Sequence, residues 1–444
     1  MIDIGITIFY IGFAILGVLV SAVLCLVPGL HVYNVMGFAF LIYFAFLSEI
    51  QDHMYFIMFL VGLVVGYSIL FTIPTIYLSA PDDSTVWIMY PSQKYLMNGR
   101  GHEAVLLTTA GAIVGVLIML IAIPLFMEQL KLIREIIKPH MFWIVGAVVM
   151  FILLSEFPKD FDRGKSPLKK LWVGWSTILA GYLTFLLSSI LGIIIFNKTI
   201  VPADRAFQTL GAVFIGMFAA SSLLVAIFSH KKIPEQTISR SVEVKKEEIF
   251  RGGVGGTLGG LFAAFIPAVT AGVGALLAGH ATASKGERTF IISQGSNRVL
   301  YFVGAIVLFF TAIGMRKGAL TIGMNLFYTP ETLSDLYLVL AGIAIASALS
   351  LILILLMSRG VLSLIQKVRY QTLSLIALIC VTLIVFLMLS WQGLVIYAIS
   401  TAIGLLPVLF HSRRMNCLAV ILVPIWLNMS GIGGDIAAGL GLFS

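Results

Sequence analysis

Four polar clusters interrupt an otherwise apolar chain, and their residue types limit the chemistry they could do. The run Ser79-Ala80-Pro81-Asp82-Asp83-Ser84-Thr85 sets two adjacent carboxylates beside hydroxyls. Asp82, Asp83 and Ser84 could hold a coupling cation, Na+ or H+, while the same run also reads as a cap for a following helix. The run Ser293-Gln294-Gly295-Ser296-Asn297-Arg298 carries a guanidinium flanked by amides. Arg298 could neutralise an anionic substrate, with Gln294 and Asn297 as hydrogen-bonding neighbours, or it could snorkel to the cytoplasmic interface. The other two clusters are breaks. Pro28-Gly29 is followed by His31 and Asn34, and Pro267-Ala268, 239 positions later, is followed by Thr270 and Gly272. Proline removes a helical N–H and glycine tolerates backbone that Cβ forbids, so each pair stops a helix in the middle of an apolar run. The freed helix ends would offer N–H groups to an anion. The competing reading of the first break is a packing kink with a satisfied histidine.

These clusters must be positioned by membrane helices. Of 444 residues, 60% are hydrophobic and 11% charged, and apolar windows of about 20 residues recur throughout, the length needed to cross a bilayer core. The pattern predicts an all-α polytopic membrane protein. Its apolar segments fall at 6–27, 32–47, 54–78, 104–127, 140–154, 171–196, 207–229, 252–267, 269–283, 290–314, 333–356, 371–389, 391–410 and 415–443. Those at 32–47, 140–154, 252–267 and 269–283 are short for a crossing, which points to re-entrant pieces. Glycines 252, 255, 256, 259 and 260 read as close helix packing. A break inside hydrocarbon must be buried in protein or face a wet cavity, because its polar backbone cannot stay unpaired in lipid.

The chain divides into a first transmembrane repeat (1–229), a charged linker (230–251) and a second repeat (252–444). No Lys or Arg occurs before residue 94. Basic residues then gather at Lys159, Arg163, Lys165, Lys169 and Lys170 and in the linker, which places both loops in the cytoplasm and the early loops outside. On that orientation the two breaks open to opposite sides. Each half would be a Pro/Gly-broken hairpin, a long helix, a short irregular segment (84–96 or 318–328) and further helices. Two such inverted halves give two near-equal packings around a midplane site, the usual basis of alternating access. The N-terminal stretch reads as the start of the first membrane helix, with no cleavable leader signature.

Several functions are disfavoured. The formal charge of +8 lies in short loops that orient the protein, so nucleic acid is not an expected partner. Cys25, Cys380 and Cys417 stand alone in apolar runs with no metal-ligand spacing. No HExxH, GxSxG or P-loop occurs, and Gly431-Ile432-Gly433-Gly434-Asp435 misses the spacing of intramembrane aspartyl proteases, so the chain does not read as an enzyme and no cofactor is expected. A scaffolding role is the bland remainder, and the two polar breaks speak against it.

At these clusters the sequence resembles a known family. The Pro-Gly break, the run APDDSTVWIMYPSQKYLMNGRGHEAVLLTTAGA from Ala80, the glycine-rich second break, and SQGSNRVLYFVGA with RKGAL from Arg316 resemble the large permease subunit of the tripartite tricarboxylate transporters, nearest its archaeal branch. The resemblance implies an inverted-repeat secondary carrier driven by a cation gradient. Such carriers take citrate-like carboxylates from an extracellular binding protein and work with a small membrane subunit. It places the substrate region at Pro28, Gly29 and Asn34 and at Pro267, Thr270 and Gly272. The second break departs from the pattern, with Pro267-Ala268 where the family has Pro-Gly. The chain also looks like a distant relative of membrane proteins that recycle polyprenyl phosphate. In that alternative the helix ends and Arg298 would hold an anionic lipid head group, and the cavity would open sideways to membrane lipid.

Overall fold

The computed structural model describes the whole chain except residues 1–3, 48, 50–51, 159–165, 230–231, 240, 283–285, 312, 316–317, 331 and 443–444. Lys159, Arg163, Lys165, Lys231, Arg240 and Arg316 therefore lie outside the described residues. Among those described there is no strand. Eight helical stretches are long and apolar enough to cross a membrane, with a bent pair near the C-terminus as a further candidate. The chain is an all-α, multi-pass membrane protein.

The first half runs through α1 (Ile4–Leu24), α2 (Val32–Ile42, continued as a π-helix to Leu47), α3 (Met54–Leu70), α4 (Thr72–Leu78), α5 (Met89–Met97), α6 (Gly101–Ile137), α7 (Met141–Leu154), α8 (Pro167–Asn197), α9 (Thr209–Phe214), a π-helical stretch Ile215–Ala220 and α10 (Ser221–Phe228). The second holds α11 (Lys246–Phe265), α12 (Ala271–Thr282), α13 (Glu287–Phe310), α14 (Gly318–Met324), α15 (Leu333–Lys367), α16 (Tyr370–Leu409), α17 (Ala419–Met429) and α18 (Gly433–Gly439). Each break stands where a Pro pair predicts it, the first between α1 and the short α2 and the second between α11 and the short α12. α2 and α12 are too short to cross a bilayer on their own.

The inner pair of the bundle is α3 and α13. The span through α3 and α4 is almost wholly buried and α13 entirely so, whereas α6 to α8, α15 and α16 expose large apolar side chains. The packing partners repeat between halves. α1 lies on α3 as α11 lies on α13, and the long helices cross over, α15 against α1 and α3, α6 against α11 and α13. Glycines permit the closest approaches. A Cβ on Gly17 would meet Leu63 N at 2.7 Å, and one on Gly256, 239 positions on, would run into the carbonyl of Ser293.

Two details concern the C-terminal segments, of which the first bears out the sequence reading. α16 is long enough for two crossings, but at Ser390 φ is 57° and ψ −157°, and Thr382 Oγ1 lies 3.2 Å from the Tyr397 hydroxyl. Fifteen residues along a straight helix would separate them by about 22 Å, so the chain doubles back. The two legs match the segments at 371–389 and 391–410. The segment at 415–443 is not one straight helix: α17 and α18 are bent by 113° at their junction, as in a broken span or a re-entrant loop, and Asp435 is exposed.

Candidate functional site

The site grows from the non-helical segment 79–88, which leaves α4 at Ser79 in a left-handed turn (φ 56°). Irregular backbone between membrane helices needs internal partners, and Asp82 supplies them. Its Oδ1 accepts from the Ser84 backbone N–H (3.0 Å), the Ser84 hydroxyl (2.6 Å) and the Thr85 hydroxyl (2.8 Å). Asp82 thus closes its own turn. It does not cap the next helix, since α5 begins after Ile88 with no side-chain cap.

The other oxygen of Asp82 faces the inner helices. Oδ2 accepts from the Tyr67 hydroxyl of α3 (2.8 Å) and from Arg298 Nη2 of α13 (3.2 Å). Arg298 Nε also donates to Ser84 Oγ at 2.9 Å, and its guanidinium lies 4.8 Å from the Tyr67 ring centre and 4.9 Å from that of Phe71. Arg298 is 2% exposed and sits midway along a helix with no exposed middle, so it does not snorkel. Cation–π contacts and a hydrogen-bonded carboxylate offset part of the cost of desolvating it.

Asp83 turns the opposite way, to the first break. Its Oδ1 is 3.0 Å from His31 Nε2. His31 is the N-cap of α2, where Nδ1 accepts the Tyr33 backbone N–H at 3.1 Å. A ring nitrogen that accepts carries no proton, so the neutral tautomer has its hydrogen on Nε2 and donates it to Asp83. The first break is therefore both a capped helix start and a partner of the acidic segment. The second break meets the same segment, because a Cβ on Gly272 would stand 2.5 Å from the carbonyl oxygen of Asp83.

With His31 in that tautomer, the cluster holds two carboxylates against the single cation Arg298. Among the described residues His31, Asp82 and Asp83 bring polar side-chain atoms within 4.8 Å of one another, and with both His31 nitrogens engaged the carboxylate oxygens are what a cation would meet. An uncompensated buried carboxylate is costly, so the arrangement suits one further monovalent cation or a proton. All three residues are buried.

The remaining candidates divide. Gly29 has φ 81° and backs onto Ala219, with Pro28 ahead of it; Ala268, after Pro267, takes the same left-handed conformation with φ 63°. Asn34 is buried against Gly211, its Nδ2 at 3.7 Å from Met388 Sδ and its Oδ1 without a partner. Thr270 Oγ1 is likewise buried, and among the described residues neither it nor Asn34 Oδ1 has a hydrogen-bond partner. Asn297 and Gln294 do not share Arg298's partner. Asn297 Nδ2 donates to the Ala271 carbonyl at 3.0 Å, and Gln294 Nε2 faces that of Ala275, so both hold α12 to α13. Tyr67 is absent from the sequence-based candidates because a tyrosine within an apolar run looks like core.

The family model described as tripartite tricarboxylate transporter TctA family matches residues 11–419. The chain belongs to the TctA family. That family is one of transporters rather than enzymes, and its name describes a multicomponent system. Among curated proteins, an uncharacterized protein of Methanocaldococcus jannaschii is 25% identical over 426 residues, covering 93% of this chain and 97% of its own length. No solved structure matches. Within the TctA match fall both breaks, the 79–88 segment and Arg298.

Proposed function

We propose that this TctA-family chain is the carrier subunit of a secondary transporter that moves a small carboxylate-type organic anion by alternating access, coupled to Na+ or H+. One observation carries the reading: both helix breaks converge on Asp82-Asp83, a buried polar cluster between the two innermost helices. Two irregular segments brought onto one buried acidic pair suit a binding site better than a packing contact. The charge count at His31, Asp82, Asp83 and Arg298 supports a coupling cation bound there, with Ser84 as a neutral oxygen beside it. The backbone around Pro28, Gly29 and Asn34 and around Pro267, Thr270 and Gly272 forms the substrate region, and the two halves act as inverted repeats that rock about it. An extracellular binding protein and a small membrane subunit complete the assembly in this reading. The family match favours a soluble carboxylate over a lipid head group.

The test is uptake by proteoliposomes of the purified chain. Labelled citrate and succinate are offered under an inward Na+ gradient and, separately, an inward proton gradient, and counterflow is measured with no gradient. Gradient-stimulated accumulation supports the reading. Absence of both uptake and counterflow with either anion overturns it.

A further inference from the structure

A second buried cation has no counter-ion. Arg414 opens the 3-10 turn Arg414–Leu418 after α16 and is 8% exposed. Its Nη1 donates to Ser222 Oγ at 2.7 Å and its Nη2 to Ser221 Oγ at 2.9 Å, while Met89 Sδ lies 3.7 Å away. Both hydroxyls spend their own hydrogens on carbonyls one turn back, Met217 and Phe218. They offer Arg414 only neutral oxygen. Its Nε–H is buried with no acceptor, and among the described residues no carboxylate pairs with it. The nearby acid Glu156 accepts instead from the backbone N–H of Arg413, at 2.9 and 3.2 Å.

The surroundings repeat the same imbalance. The Arg413 guanidinium lies 5.6 Å from the Trp87 ring centre, and the indole N–H of Trp87 is also buried without an acceptor. Two positive side chains, Arg413 and Arg414, and two N–H donors without an acceptor among the described residues thus share one neighbourhood with a single acid, Glu156, which is engaged by the Arg413 backbone and the Asn416 amide and forms no ion pair with Arg414. A buried guanidinium is stable only when its charge is offset, and the planar fork of Arg suits the two oxygens of a carboxylate.

The position is also suited to coupling. Ser221 follows directly on the π-helical stretch Ile215–Ala220, a local irregularity often found at functional sites. Met89 begins the helix that the 79–88 segment feeds, so one short segment touches His31 and Arg298 through its two aspartates and Arg414 through its far end. Leu418, on the Arg414 turn, lies 3.3 Å from where a Cβ on Gly272 would be.

We propose that Arg414, seated by Ser221 and Ser222, binds a carboxylate group of the transported anion, and that Arg298, already paired with Asp82, serves the cation site. This rests on the carrier reading. The Asp82-Asp83 cluster is one positive charge short and the Arg414 neighbourhood one negative charge short, and the segment between them lets the filling of one bear on the other.

The experiment uses the full chain in detergent, with citrate, succinate and chloride as probes at fixed Na+, and reads both the baseline melting temperature and the ligand-induced shift. Arg414→Lys and Arg414→Gln are compared with wild type. The expected result is that citrate or succinate stabilises wild type, that apparent affinity falls about tenfold or more in Arg414→Gln and less in Arg414→Lys, and that the stabilisation by Na+ alone is retained. A purely structural arginine would lower the baseline and leave affinity for the carboxylates unchanged in whichever variant folds, and that outcome overturns the proposal. If wild type transports a carboxylate while Arg414→Lys binds it as wild type does, the carrier reading stands and this inference falls. If wild type neither binds nor transports any carboxylate, both fall.

Discussion

Arg298 Nη2 lies 3.2 Å from Asp82 Oδ2, across 216 positions of chain and between the two halves of the protein. Removing one partner from such a pair leaves the other charge buried and uncompensated, at a cost of about 3–5 kcal/mol, whereas removing both is far milder. Asp82→Asn and Arg298→Gln should each lower thermal stability strongly, and the double variant should recover part of the loss. Melting curves of the three variants check this. Strictly additive losses would mean the two side chains do not act as a pair.

The His31–Asp83 contact ties the first break to the acidic segment, and under the proposed coupling it is where the driving ion acts. Asp83→Asn should retain counterflow of the substrate anion while losing stimulation by a Na+ or proton gradient. Proteoliposome assays with and without gradients separate the two. A variant that keeps full gradient stimulation would remove Asp83 from the cation site.

Ala268 holds a left-handed backbone at the position corresponding to Gly29. An L-residue with a Cβ pays roughly 1–2 kcal/mol there and glycine does not. Ala268→Gly should raise the apparent melting temperature by about 1–2 °C, and Gly29→Ala should lower it by more, since its new methyl would also strike Ala219. A drop in stability for Ala268→Gly would contradict the strain.

A Cβ on Gly256 would collide with the Ser293 carbonyl, while one on Gly12 meets nothing within 4 Å. Gly256→Ala should cost about 2–3 kcal/mol by forcing α11 off α13, and Gly12→Ala should be neutral or gain up to about 1 kcal/mol from helix propensity. Thermal melts of the pair provide an internal control. Equal effects would show that the glycine row is not what sets the α11–α13 approach.

Much of the architecture can be read from residue order because the signals are local. Pro28-Gly29 and Pro267 stop their helices locally, an apolar run shows its own length, and the glycines from 252 to 260 announce a close helix contact. Even the boundary at Ser390 is visible, in the short Ser-Trp-Gln-Gly run between two apolar segments. The site is less legible because its bonds join distant residues. Nothing near Asp82 in sequence says that its partner is Arg298 rather than the next helix start, and nothing near Asn297 says that its amide faces α12 while its neighbour Arg298 faces α3. Arg414 shows the limit most clearly. In sequence, Arg413-Arg414 looks like a basic loop that sets orientation, and only the three-dimensional packing reveals that one of the two is buried among hydroxyls with no acid beside it.

The linker between the halves has a mechanical role that its charge alone does not suggest. Gln236 accepts from Gly101 N at 2.9 Å and donates to the Leu96 carbonyl at 2.8 Å, and its own backbone carbonyl accepts from Gln366 Nε2 at 3.4 Å. One glutamine therefore pins the corner between α5 and α6 to the far end of α15. The Thr237 N–H adds a bond to the Gly99 carbonyl at 2.8 Å and Arg288 pairs with Glu103 at 3.0 Å, so this side of the bundle is held by several contacts at once and the loss of any one of them leaves the corner anchored.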